Sequence, residues 1–153
     1  MKPQLLFAHG WALDAGLWDA VIAALGEDAA DAALFDAGYY GRPRPWPVLE
    51  PGRPLLGVGQ SLGALELLTD PPAPLDGLVV LDGFARFGQA EDFPLGVPER
   101  VLARMRRRLG DDAGVVIEFV GRAGGQVPSG APDAARLIAG LERLETLDGR
   151  RAA

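Results

Sequence analysis

Cysteine is absent from this chain, and histidine and lysine each occur once, as His9 and Lys2. Without cysteine there are no disulfides and no thiolate metal sites. A single imidazole leaves little for a zinc centre, so neither a metal nor a cofactor is expected. Basic charge is also scarce: the net charge of −6 argues against nucleic acid as a partner. Long apolar runs are missing too. Leu5-Leu6-Phe7-Ala8 is too short for a signal-peptide core or a membrane span, so cytoplasmic residence without a membrane partner is expected. The lone lysine against many arginines reads as composition bias.

What remains is ordinary for a globular domain. At 153 residues, with 48% hydrophobic and 24% charged residues, the chain can bury a real core. Short apolar runs at 4–8, 32–35, 55–58 and 78–81 read as buried parallel strands rather than alternating half-exposed ones. Between the first pair, residues 16–25 place Leu17, Trp18, Val21, Ile22 and Leu25 on one helical face. A helix from Leu62 to about Leu68 follows the third strand and stops at Asp70-Pro71-Pro72. Strands alternating with helices predict an α/β fold with helices on both faces of a parallel sheet. The link over 38–54 is crowded with proline and glycine, so it predicts an extended loop, with Tyr39, Tyr40 and Trp46 covering part of one sheet face.

From Phe84 onward the pattern turns wholly helical. Residues 98–109 group Val101, Leu102, Met105 and Leu109, with Pro98 at the first helical position. Residues 111–120 and 131–147 continue the helical spacing, the latter through Leu137, Ile138, Leu141, Leu144 and Leu147. This divides the chain into a core at 1–83 and a helical lid at 84–149.

The chemistry centres on Gly59-Gln60-Ser61-Leu62-Gly63, a G-x-S-x-G pentapeptide directly after the third apolar run. A strand that delivers a serine onto a turn this tight needs small flanking residues. Ser61 is therefore the candidate nucleophile. A serine hydroxyl needs a base to take its proton, and in this arrangement the acid and the histidine follow the serine. His9 precedes it.

The elbow around Ser61, His9-Gly10-Trp11 at the end of the first strand, and the helices after the fourth strand together resemble the α/β-hydrolase superfamily. The segment 6–18 (LFAHGWALDAGLW) is similar to small carboxylesterases of the pimeloyl-acyl carrier protein methyl ester esterase type. The resemblance runs along essentially the whole chain. It implies strands in spatial order second, first, third, fourth, and ester hydrolysis through an acyl-enzyme at Ser61. It implies oxyanion N–H groups from Trp11 and Leu62, and a small-molecule or acyl-carrier-linked ester as substrate. His9 would shape the oxyanion loop.

Departures accompany the resemblance. A helix between the second and third strands is replaced by the proline-rich loop. The strands whose loops carry the acid and the histidine are missing, so the chain reads as the amino-terminal two-thirds of such an enzyme. The alternatives are a non-catalytic acyl-binding or interaction module, or an incomplete chain. The fourth strand should then be an exposed edge, expected to leave the chain insoluble or to pair with a second copy.

Other residues carry paired readings. Asp82 is either a triad acid or a cap on the turn with Gly83. Arg100, Arg104, Arg106, Arg107 and Arg108 form either a solvated face or a dock for an acidic carrier protein. Phe84, Phe87 and Phe93 either line an acyl channel or pack lid against sheet.

Overall fold

A computed structural model describes residues 1–152. Its centre is a four-stranded parallel sheet in the order β2-β1-β3-β4, built from β1 (Gln4–Ala8), β2 (Ala33–Phe35), β3 (Leu55–Gln60) and β4 (Gly77–Leu81). The order and direction are those the sequence predicts. β3 runs on to Gln60, two residues beyond its apolar run, so the sheet reaches the residue before Ser61. The helices are α1 (Asp19–Leu25), α2 (Leu62–Thr69), α3 (Glu99–Asp111), α4 (Val115–Arg122) and α5 (Ala134–Thr146).

Glycine decides how closely α2 approaches the sheet. A Cβ on Gly59 would run into Ala64 backbone, with the Ala64 nitrogen 2.5 Å away, and one on Gly57 would meet Leu67 Cδ1 at 3.3 Å. The bare side of β3 thus lets α2 lie flat against it. Its buried residues, Leu62, Ala64, Leu65 and Leu67 among them, then join the sheet to the later helices. One apolar cluster runs from Trp11, Tyr39 and Leu65 into Leu102, Leu109, Val116, Leu137 and Leu144. The helices after the fourth strand are therefore packed onto the carboxyl end of the sheet.

The segment before α1 differs from its expected form. Residues Ala15–Trp18 form a 3₁₀ turn, capped by Asp14 through its bond from the Gly16 N–H, and the α-helix begins only at Asp19. Trp18 is buried against Phe7, with ring centroids 5.1 Å apart, but Leu17, Val21 and Leu25 stay about 40% exposed. The stripe is amphipathic, yet beyond Trp18 it stays largely uncovered among the described residues. Val79 shares the Phe7 face by register and is 50% exposed, alongside Val80 at 49% and Leu81 at 43%. β4 is an open edge, and the later helices do not fold back over it.

Helix ends also moved. Pro98 is the cap of α3 in extended conformation rather than its first helical residue. The helix expected at 111–120 begins at Val115, after a turn in which Asp112 accepts from the Gly114 N–H at 2.8 Å. α5 starts at Ala134, where Asp133 caps it by accepting from the Arg136 N–H at 3.0 Å. Residues 38–54 form the extended crossover expected of them. Of its three aromatic residues Trp46 covers the sheet, together with Leu49, over Leu6, Ala33 and Leu55. Tyr39 and Tyr40 turn instead into the cluster shared with the later helices, because their loop leaves the sheet at its carboxyl end.

Candidate active site

Ser61 stands between β3 and α2 at φ 52° and ψ −118°, in the left-handed half of backbone space that side chains avoid. Such a conformation costs on the order of 1–3 kcal/mol and persists only where its surroundings dictate it. Here they do. The Ser61 N–H donates to the Leu81 carbonyl at 3.0 Å, and the Ser61 carbonyl accepts from Ala64 and Leu65 at 3.1 and 3.2 Å. A Cβ on Gly63 would sit 2.6 Å from the His9 carbonyl oxygen and closer still to Ala8. One on Gly10 would sit 3.1 Å from Ser61 Cβ. The end of β1, the serine turn and the first turn of α2 are therefore in backbone contact. The serine hydroxyl has no hydrogen-bond partner among the described residues.

Trp11 lies in the turn that this contact brings beside Ser61. The Leu13 N–H closes that turn onto the Gly10 carbonyl at 3.3 Å, and Ala12 occupies its third place with φ 64°. The Trp11 side chain points away from the serine into the later helices. Its indole N–H donates to the Leu137 carbonyl at 2.8 Å, and its ring meets Phe119 edge-on at 5.2 Å. That anchoring leaves the Trp11 backbone N–H with no acceptor among the described residues. Leu62, the first residue of α2 and almost fully buried, likewise has a backbone N–H without an acceptor among them. Unsatisfied N–H groups are normal at a helix start, and they are what an oxyanion needs.

His9 is buried, with both ring nitrogens engaged. Nδ1 lies 2.8 Å from the Gly10 carbonyl oxygen, and Nε2 lies 3.0 Å from the Ala37 nitrogen. A backbone N–H can only donate, so Nε2 accepts, and the proton sits on Nδ1 and goes to Gly10. Asp36 Oδ1 stands 3.6 Å from Nε2, beyond hydrogen-bond length. The imidazole therefore bridges the turn after β1 to the turn after β2 and offers nothing to Ser61.

Burial pushes the Asp36 carboxyl up, but the N–H groups of Ala15 and Gly38 donate to its two oxygens and, with the His9 ring nearby, hold the carboxyl at about 2, below its ordinary 3.8. The ionised form is thus the one folding favours. Its contribution is present above about pH 4 and is lost as pH falls toward about 2. Asp36→Asn is expected to lower stability at pH 7 by about 1 kcal/mol, after allowance for partial exposure. Urea denaturation should show that gap closing by about pH 2; a gap constant with pH would mean the carboxylate charge is not what matters.

The remaining candidates sort by place. Asp82 follows β4 at φ 47°, exposed, and its side chain caps nothing among the described residues. Phe84 and Phe87 pack on each other at 4.9 Å and lean on the main cluster. Phe93 lies apart, under the Arg150 guanidinium at 5.4 Å. Arg106 is tied to Glu145, which removes it from the basic face. Arg100, Arg104, Arg107 and Arg108 remain exposed and without ion pairs among the described residues. Two features were not expected from the sequence. Glu66 on α2 is ion-paired with Arg143 on α5, and burial pushes its carboxyl up although Arg143 opposes the shift. The Gln60 side-chain oxygen is buried next to Gly10 without a partner.

No family model matches the chain. Among solved structures, an esterase from Exiguobacterium antarcticum superposes with a TM-score of 0.72 at 15% identity, covering 99% of this chain and 70% of that one. The chain has an α/β-hydrolase fold. A hydrolase from Pseudomonas aeruginosa gives a TM-score of 0.54 at 20% identity, over 97% of this chain and 66% of the other. In sequence, the chain is 26% identical to the pimeloyl-[acyl-carrier protein] methyl ester esterase of Proteus mirabilis over 169 residues. That match takes in 97% of this chain and 64% of the relative, so the chain spans just under two thirds of the relative's length. Within the hydrolase fold, the turn carrying Ser61 lies at the carboxyl end of the sheet, where open α/β sheets bind ligands.

Proposed function

We propose that the protein is a serine hydrolase of carboxylic esters. Ser61 is the nucleophile, and the backbone N–H groups of Trp11 and Leu62 receive the oxyanion. The observation that carries this reading is the strained φ of Ser61 in a backbone-crowded turn, flanked by N–H groups that lack acceptors. Attack of the Ser61 oxygen on the ester carbonyl puts negative charge on the carbonyl oxygen, and those N–H groups stabilise it. Collapse expels the alcohol and leaves an acyl-serine. The hydroxyl proton must leave as the new bond forms, and the only imidazole in the sequence is engaged by Gly10 and Ala37. The acid and base are therefore not supplied by His9 or by the exposed Asp82.

The relative's name supports an acyl-carrier-linked or small-molecule ester as substrate. An acidic carrier would be steered to Arg100, Arg104, Arg107 and Arg108, a basic face on a protein of net charge −6. Phe84 and Phe87 would stand beside its acyl chain.

Incubation with an activated ester, p-nitrophenyl butyrate, is expected to leave a butyryl group on the Ser61 peptide, seen as an intact-mass increase and located by tandem mass spectrometry. Ser61→Ala should show none. Equal labelling of both proteins would end the nucleophile assignment. The engagement of His9 favours a second reading, a non-catalytic acyl-binding module. In that case a non-hydrolysable acyl ketone should bind the wild type and Ser61→Ala alike, with no acyl-serine formed.

A further inference from the structure

Gly140 stands in the middle of α5, where glycine is the poorest helix former after proline. A Cβ there would press 2.6 Å from Trp11 Cδ1 and 3.1 Å from Nε1, and it would also run into the Tyr39 hydroxyl. Gly110 in α3 and Gly121 in α4 have open space at the same point, so the crowding belongs to α5. One turn earlier on the same face, the Leu137 carbonyl accepts the Trp11 indole N–H at 2.8 Å. The bare stretch of α5 is thus the seat of that ring, which reaches it from the turn beside Ser61.

α5 is itself firmly held. The N–H of its cap, Asp133, donates to the Tyr39 carbonyl at 2.7 Å, and in its last turn the Leu144 carbonyl accepts from Gly88 at 3.2 Å. The Glu66–Arg143 pair ties it to α2 as well. The turn that carries Trp11 is less secure by its own bonds. It closes with one bond of 3.3 Å, and Ala12 sits at φ 64°, a conformation alanine keeps only under outside constraint. The His9 ring secures the Gly10 end of that turn. Trp11 is secured by its side chain, bonded to α5, edge-on to Phe119 at 5.2 Å and only 8% exposed. A ring pinned this way fixes its side-chain torsions, so its backbone cannot turn without driving the ring against α5.

A donor stabilises an oxyanion best when it is aimed before the charge appears. We propose that the Trp11 indole is a positioning group, through which α5 aims the Trp11 backbone N–H at the oxyanion. This role presupposes the proposed ester site and adds its regulation: the donor is in place only while α5 is docked. The ring touches no reacting atom. The other donor, Leu62, is fixed by its place at the start of α2, so displacement of α5 disables one of the two N–H groups.

The test follows the burst of p-nitrophenolate from p-nitrophenyl butyrate across ester concentrations, which separates the maximal acylation rate from the half-saturating concentration. Trp11→Phe keeps an aromatic ring and loses the indole N–H. It is expected to lower the maximal rate about tenfold or more while moving half-saturation by less than about twofold. Gly140→Ala, which leaves Trp11 intact but crowds its ring, should do the same. In the double variant the phenyl ring, no longer tied to Leu137, can yield to the added methyl, so the rate should stay near that of Trp11→Phe alone. Tyr39→Phe carried in all four proteins removes the other atom that the methyl would meet. Either single variant decides the matter if the other folds poorly. An unchanged maximal rate, a rise in half-saturation alone, or full additivity in the double variant overturns the role of the indole and leaves Ser61 as nucleophile. Absence of any burst from the wild type overturns the ester reading and this role with it.

Discussion

Gly63→Ala should be among the most destabilising single-methyl additions available in this chain, costing about 3 kcal/mol. The added carbon would be 2.5 Å from the Ala8 carbonyl carbon and 2.6 Å from the His9 oxygen, and both are backbone atoms of β1. Nothing flexible can swing aside, so either β1 or α2 must move, and with it the Ser61 turn. The same substitution at Gly110 in α3 or Gly121 in α4 meets nothing within 4 Å. There alanine only removes backbone freedom from the unfolded chain and improves helix propensity, so those variants should gain roughly 0.5–1 kcal/mol. Parallel urea titrations of the variants test the contrast, since composition changes identically in each. A Gly63→Ala midpoint equal to that of Gly110→Ala would mean that β1 and α2 do not approach as closely as the serine turn requires.

How much of this was legible in the sequence depended on how local its cause was. The strands were legible as apolar runs and the serine turn as glycine spacing around Ser61, both properties of neighbouring residues, whereas the order of the strands came with the resemblance to α/β-hydrolases. A structural place for His9 beside the oxyanion loop came with the resemblance, but one of its two partners, Ala37, lies in the turn after β2 and needed the sheet to bring it near. The stripe on α1 predicted burial, and it failed because a stripe reports what a helix can cover, not whether a neighbour is there. Leu17, Val21 and Leu25 remain exposed, as do Val79, Val80 and Leu81 on the open β4 edge. The open cleft between the proline-rich crossover, the carboxyl end of α2 and α5 was illegible for a different reason. Tyr39, Trp46, Asp70 and Arg143 belong to three separate segments, and no spacing in the chain relates them. The proline-rich loop announced only that a helix would be missing, not what its absence would leave open.

Turnover of the purified 153-residue polypeptide should be slow in a particular way. Oxyanion donors can act without an imidazole, and in subtilisin they retain a residual acceleration on the order of 10³–10⁴ over water when the triad is removed. Steady-state release of p-nitrophenolate from a short-chain ester is therefore expected within that range, and Ser61→Ala, which keeps the donors, should stay within it but form no acyl-serine. Because the acyl-serine also needs a base to hydrolyse, release should begin with a burst of about one equivalent and then nearly stop. Free imidazole should raise the slow phase in wild type and add to the rate of Ser61→Ala only the background that imidazole alone produces. A kcat near the ordinary enzyme median of about 10 s⁻¹, lost in Ser61→Ala, would overturn the assignment of His9. It would require the ring to let go of Ala37 and Gly10 and swing toward the serine, a motion its burial and both of its hydrogen bonds oppose.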